Sequence, residues 1–222
     1  TAELGIYIDE RVNRALADLA TLSDGQERLV VPGFVYHPVI AYRAAEQGRE
    51  VLFYDWPDSD NACFLTPNQP ALFLDLPIQL SNFERRAAPY LSLDALVRQP
   101  DNDYRLFAGE PLPRLTEMWD EAAQVGNLLR MRLALPLKEP VVRGETITLH
   151  LAMRMQRQAQ RDWRIFVHLQ GNPTPYDGGT LWSDGDAPLC NLAYVPPFTA
   201  TTLVQQLSLP IPDDLPAGEY HI

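Results

Sequence analysis

Two pairs of aspartates spaced two residues apart are the first groups in this sequence whose chemistry would suit a metal ion. They lie at Asp58–Asp60 (DSD) and Asp101–Asp103 (DND). Two carboxylates at this spacing can share one divalent cation in a loop. Each pair, however, follows a proline in a turn, where Asp and Asn side chains commonly bond their own backbone. We favour turn residues and predict no metal site.

The stretch YDGGTLWSDGD, residues 176–186, combines aromatic and acidic side chains in one loop region. An aromatic ring can stack on the apolar face of a pyranose, while carboxylates accept hydrogen bonds from its hydroxyl groups. A turn needs glycine and aspartate but not tryptophan. We therefore predict a ligand-binding patch made of Trp182, Tyr176, Asp184 and Asp186. The alternative is that Trp182 fills the end of a β-sandwich and that the acids serve the turns.

The histidines and loops do not form a catalytic set. His37 precedes a proline in a loop, and His168 lies inside a predicted strand. The sequence has no G-x-S-x-G nucleophile elbow, and the loop at residues 32–37 (PGFVYH) lacks the glycines that a dinucleotide pyrophosphate requires. We predict no catalytic residue and no cofactor, with His168 as a hydrogen-bonded structural residue.

The net charge of −11 is concentrated in the first half of the chain. Residues 1–125 carry twenty acidic and ten basic side chains, whereas residues 126–222 carry nine and eight. An acidic surface repels a phosphate backbone, so nucleic acid is excluded as a predicted partner. No apolar run approaches the roughly 18 residues that crossing a bilayer requires.

Cys63 and Cys190 are the two cysteines of the chain. They form no C-x-x-C or Cys/His pattern of a metal or redox site. A disulfide between them is the alternative if the chain is extracytoplasmic, but the distance in sequence favours two buried free thiols in different domains.

Hydrophobic periodicity predicts an α/β domain over residues 1–110. A helical stripe covers residues 4–22, and strand, helix and strand then follow in the order of a βαβ unit. The predicted elements are a strand at 28–31, a helix at 38–47 and strands at 50–54, 71–74 and 104–107. The region between the last two strands predicts short helices, one of them capped by Ser92, because Leu93, Leu96 and Val97 recur at helical spacing.

From residue 128 the apolar period becomes two, which predicts an antiparallel β-sandwich over residues 128–222. Residues 111–127 are the predicted linker, with a connecting helix at 115–125. The fold class is therefore α/β plus all-β: a small open βαβ-type sheet followed by an incomplete β-sandwich. Because a new strand has barely begun at Tyr220 and residue 1 is Thr, we expect the 222 residues to be a piece of a longer chain.

The second half also carries an ordered series of motifs. They are FVHL at Phe166–Leu169, WSDGD at Trp182–Asp186, Leu209–Pro210, and DLPAGEY at Asp214–Tyr220. This order resembles the C-terminal β-domain of bacterial multi-spanning glycosyltransferases of the dolichyl-phosphate-mannose–protein mannosyltransferase type. About 60 residues carry the resemblance.

The resemblance implies an extracytoplasmic location at the bacterial cell membrane and an accessory role. The catalytic acids of that family lie in a loop between early membrane helices, and no residue of this sequence corresponds to them. The chain would then be a non-catalytic region that positions a glycan or protein acceptor for a transferase using a polyprenyl-phosphate sugar. Its membrane attachment would come from spans outside this sequence. The alternatives are a free-standing carbohydrate- or protein-binding module and, third, a soluble enzyme built on the α/β domain.

Overall fold

The structure is a computed structural model that describes residues 2–23, 27–33, 37–54, 63–76, 83–98, 104–117, 119–137, 140–156, 163–174, 178–190 and 201–222. The chain divides into two compact units. The first comprises Thr1–Trp56, Leu65–Glu117 and Tyr194–Pro196, and the second comprises Pro57–Phe64, Met118–Ala193 and Pro197–Ile222.

The first unit is a five-stranded sheet with helices. Its elements are α1 (Ala2–Leu22), β1 (Arg28–Pro32), α2 (Pro38–Glu46), β2 (Val51–Tyr54), β4 (Ala71–Asp75), α3 (Phe83–Ala87), β5 (Leu91–Arg98), β6 (Arg105–Pro111) and α4 (Pro113–Thr116). The strand order is β2-β1-β4-β6-β5. Strands β2, β1 and β4 are parallel, whereas β6 is antiparallel to both β4 and β5.

Burial explains why these segments adopt their forms. Helix α1 buries Val12, Leu16 and Leu19, which recur at helical spacing and so form one apolar stripe. Strands β1 and β4 are nearly continuous apolar runs, as expected for strands that are covered on both faces. The predicted βαβ order of β1, α2 and β2 is confirmed.

The helix predicted from Ser92 onwards is wrong, because this segment is strand β5. Its register against β6 shifts between Ala95 and Val97, so Leu96 is an extra residue in the strand. Such a bulge interrupts the period of two. It gives Leu93, Leu96 and Val97 a spacing that looks helical, and Leu96 itself is exposed.

The second unit contains a second five-stranded sheet. Its elements are β3 (Cys63–Pro67), whose first residues belong to this unit, a 3-10 turn (Trp119–Glu121), β7 (Ala123–Val125), β8 (Leu129–Leu133), β9 (Thr146–Met155), β10 (Arg164–Ile165), β11 (His168–Gln170), β12 (Leu181–Asp184), β13 (Ala187–Pro188) and β14 (Thr201–Pro210). The strand order is β3-β14-β9-β8-β7. Two short ladders, β10–β13 and β11–β12, also belong to the unit.

The sheet and the short ladders enclose one apolar core. Leu149 and Leu151 of β9 and Leu207 of β14 contribute from the sheet, and Val167 and Leu169 contribute from the ladder region. Burial of each such side chain contributes roughly 1.5–3 kcal/mol to stability. The predicted fold class, α/β plus a sandwich-like β region, is confirmed.

The connecting helix predicted at residues 115–125 is wrong. The described part of this segment is the end of α4, the 3-10 turn and strand β7, which pairs with β8. A turn with Gly126 at φ 54° joins the two strands, so the chain forms a hairpin instead of a helix. None of the helices within the described ranges is both long and apolar enough to span a membrane.

Candidate functional site

Trp182 lies in strand β12 and is held in one orientation. Its indole Nε1 donates a hydrogen bond to the carbonyl oxygen of Asn172 at 2.6 Å. The ring packs against the apolar core and meets Tyr220 edge-on, with ring centroids 6.4 Å apart. The side chain is half-buried. Trp182 is therefore partly a core residue, yet it retains surface that a ligand can contact.

The two acids of the WSDGD motif have different roles. Asp186 accepts a hydrogen bond from the Val167 backbone N–H at 3.3 Å, and its Oδ1 lies 3.6 Å from His168 Nε2. Asp186 thus fixes the break between β10 and β11. Asp184 is exposed at the end of β12, opposite His168 in the ladder. Asp184 is thus the more exposed of the two, whereas Asp186 is half-buried.

Gly185, between these acids, is required by packing. A Cβ at this position would collide with the backbone oxygen of Ser208 in β14. The Gly185 N–H also donates to the carbonyl oxygen of Val167. The WSDGD motif therefore serves mainly to seat the ladder against the sheet, a role that the predicted binding patch did not anticipate.

Several sequence-predicted positions lie outside the described residues. They are Tyr176, which was predicted with Trp182, and the aspartate pairs Asp58–Asp60 and Asp101–Asp103. His37 is described, and its Nδ1 accepts a hydrogen bond from the Ile40 N–H, so it caps the start of α2. His168 faces Asp186, in agreement with a structural role. No cluster of three metal-ligating side chains occurs within the described ranges.

A broad apolar cleft of about 1270 Å³ opens in the second unit. Its walls come from β8, β9, the region of β10 and β11, and the C-terminal segment from Ile211 onwards. Phe166, which is 65% exposed, Leu133, Val142 and Ile222 line it and remain in contact with solvent. Tyr220 belongs both to this lining and to the contact with Trp182, so the cleft and the predicted patch are adjacent.

Sequence reasoning missed a buried carboxylate at the end of β4. The Asp75 side chain is completely buried and pairs with Arg105, which also lies 3.3 Å from Glu84. Burial raises the pKa of Asp75 to about 6 although the Arg105 guanidinium opposes this shift. Its Oδ1 has no hydrogen-bond partner among the described residues. An aspartate directly after the apolar run ALFL was the only available signal.

Asp75 also occupies a notable position in the sheet. The parallel strands β1 and β4 are neighbours, and the chain leaves β1 towards β2 on the opposite side, so the strand order reverses between β1 and β4. Ligands of open α/β sheets bind outside the carboxyl ends of strands at such a point. Asp75 and Arg105 therefore form a second candidate polar site, although their mutual pairing also explains them as structural residues.

Cys63 and Cys190 form a disulfide, with their Cα atoms 5.8 Å apart. The preference for two free thiols was therefore wrong, and both cysteines belong to the second unit. Strand β3 brings Cys63 to the edge of the sheet that contains β14, and the Cys190 N–H is bound by the side chain of Gln205 in β14. Both cysteines therefore lie beside strand β14.

Comparison with protein-family models, with curated proteins and with solved structures finds no match for this chain.

Proposed function

We propose that this chain is a non-catalytic, extracytoplasmic accessory region of a bacterial membrane glycosyltransferase, where it positions a glycan or protein acceptor. The transferase would use a polyprenyl-phosphate sugar as its donor. Its membrane-embedded part would supply the catalytic residues, and this chain would supply acceptor contacts. Because the acceptor is held next to the enzyme, weak affinity is sufficient.

The disulfide between Cys63 and Cys190 is the observation that supports an extracytoplasmic location. Disulfides persist in oxidising compartments and are rare in reducing ones. The bond between Cys63 and Cys190 therefore supports folding outside the cytoplasm. This agrees with what the resemblance of the FVHL, WSDGD and DLPAGEY series implies.

The surface around Trp182 supports the binding role. The indole N–H is already used by Asn172, so the ring is fixed and can offer its apolar surface without further loss of freedom. The exposed carboxylate of Asp184 lies two residues away and can accept hydrogen bonds from hydroxyl groups. The neighbouring cleft, with Phe166 at its wall, adds an apolar surface of the kind that marks interaction sites.

A free-standing carbohydrate- or protein-binding module is the alternative function. The same surfaces support it, since neither Trp182 nor the cleft requires an attached transferase. The two functions differ in gene organisation. Membrane spans of about 20 apolar residues each, encoded upstream in the same gene, would favour the accessory region.

Glycan titration followed by tryptophan fluorescence tests the binding role. We expect the wild-type protein to respond to at least one glycan of a broad panel and Trp182→Ala to lose that response. Trp163→Ala is the matched control, because Trp163 is 44% exposed in the same unit. A response that survives in Trp182→Ala, or none across the panel, would leave the glycan role without support.

A further inference from the structure

Three arginines lie on one face of the second sheet. Arg130 of β8 is directly opposite Arg154 of β9, so both side chains project from the same face. Arg132 is two residues further along β8 and therefore points the same way. The Nε of Arg154 also donates to the hydroxyl of Thr202 at 3.3 Å. The three positive charges are thus neighbours on a rigid element.

Trp119 orients two of these guanidinium groups. The Cζ atoms of Arg154 and Arg132 lie 4.3 and 5.3 Å from the centroid of its buried ring. A guanidinium that stacks on an aromatic ring uses its flat face for that contact. Its N–H donors lie in the plane of the group and stay directed towards the side, where they can bind an anion.

The arrangement brings like charges close together. Like charges directly opposite each other in a sheet repel. Burial, together with the neighbouring Arg132 and Arg130, lowers the pKa of Arg154 below its usual range. The buried Nε atoms of Arg130 and Arg132 have no hydrogen-bond partner among the described residues. Buried donors of this kind call for a partner.

We infer that Arg130, Arg132 and Arg154 form a binding site for a phosphoryl group. A phosphate monoester carries nearly two negative charges and three acceptor oxygens, so it can bind several guanidinium groups at once. A single carboxylate offers one charge and two oxygens, so it can bind fewer guanidinium groups at once. The site stands on the arginines and Trp119, so it does not depend on the proposed glycan role.

The experiment measures binding of inorganic phosphate and pyrophosphate to the full chain by calorimetry, at constant ionic strength and with acetate as the monovalent comparison. Phosphatidic acid vesicles, compared with phosphatidylcholine vesicles, separate a lipid headgroup from a free phosphate. We expect Arg130→Gln/Arg132→Gln to weaken phosphate binding at least tenfold. Arg130→Lys/Arg132→Lys, which keeps the charge but loses the fork of donors, should fall between.

Arg143→Gln/Arg164→Gln is the matched control, because both arginines are exposed in the same unit and the charge change is identical. Loss of binding in the first pair and not in the control, with either phosphate source, supports the site. Absence of binding from both sources, or equal loss in the control, overturns it. The glutamine pair removes repulsion between like charges, so its melting temperature without phosphate should not fall. If its melting temperature does fall, the lysine pair tests the site instead.

Discussion

Cys63 and Cys190 are joined by a disulfide although 127 residues separate them in sequence. A bond that closes a loop of this length restricts the unfolded chain strongly. We expect reduction to lower the free energy of unfolding by about 3–5 kcal/mol. Urea denaturation with and without reductant measures the loss. Cys63→Ser/Cys190→Ser should be as unstable as the reduced protein and insensitive to reductant; equal stability of the oxidised and reduced protein would contradict the bond.

Asp75 predicts a specific pH dependence. Its folded-state pKa, raised to about 6 from 3.8, means that the folded protein binds more protons than the unfolded chain between these values. The stability contributed by protonated Asp75 is therefore present below pH 3.8 and is lost as the pH rises through 6. Over this window the loss is about 3 kcal/mol. Urea denaturation of the wild type and of Asp75→Asn from pH 4 to pH 7 measures it.

The asparagine variant should lack this component. As the pH rises, its free energy of unfolding should therefore increase relative to that of the wild type. Asp184→Asn removes an exposed carboxylate and serves as the control. Its free energy of unfolding should change with pH as that of the wild type does. Parallel pH profiles for the wild type and Asp75→Asn would show that Asp75 ionises in the folded protein as it does in the unfolded chain.

Gly185→Ala should destabilise the second unit. The added Cβ would collide with the backbone oxygen of Ser208, which cannot move without disturbing β14. Overpacking of this kind costs about 1–3 kcal/mol. Thermal unfolding of Gly185→Ala and of Ser183→Ala, a control in the same segment, gives the comparison. If Gly185→Ala melts at the wild-type temperature, the ladder does not depend on this close approach.

The apolar cleft should bind a hydrophobic dye. Phe166 is exposed and lines the cleft, so Phe166→Ser removes apolar surface without opening the core. We expect the fluorescence of bound anilinonaphthalene sulfonate to fall in this variant, while the melting temperature changes little. Leu181→Ser, at an exposed apolar residue outside the cleft lining, should keep the wild-type signal. Equal dye binding by both variants would place the dye elsewhere.

Local patterns were sufficient to predict most elements of the fold. The stripe in α1, the apolar runs of β1 and β4, and the period of two in β9 each arise from residues close in sequence. Such periodicity follows from helix and strand geometry, so it can be recognised in a single sequence. Where the local pattern was misleading, as in β5, a bulge had inserted one residue and altered the period.

The chemistry of the molecule was decided by distant residues. Arg130 faces Arg154, and Cys63 meets Cys190, only because strand pairing brings separate segments together. The sequence likewise showed Asp75 as a single acid after an apolar run, with no sign of Arg105 thirty residues later. Burial and partners are properties of the tertiary structure, and they determine whether a side chain binds, ionises or packs. By itself the sequence therefore determined most of the segments that become helices and strands, while their packing decided which charges and thiols meet.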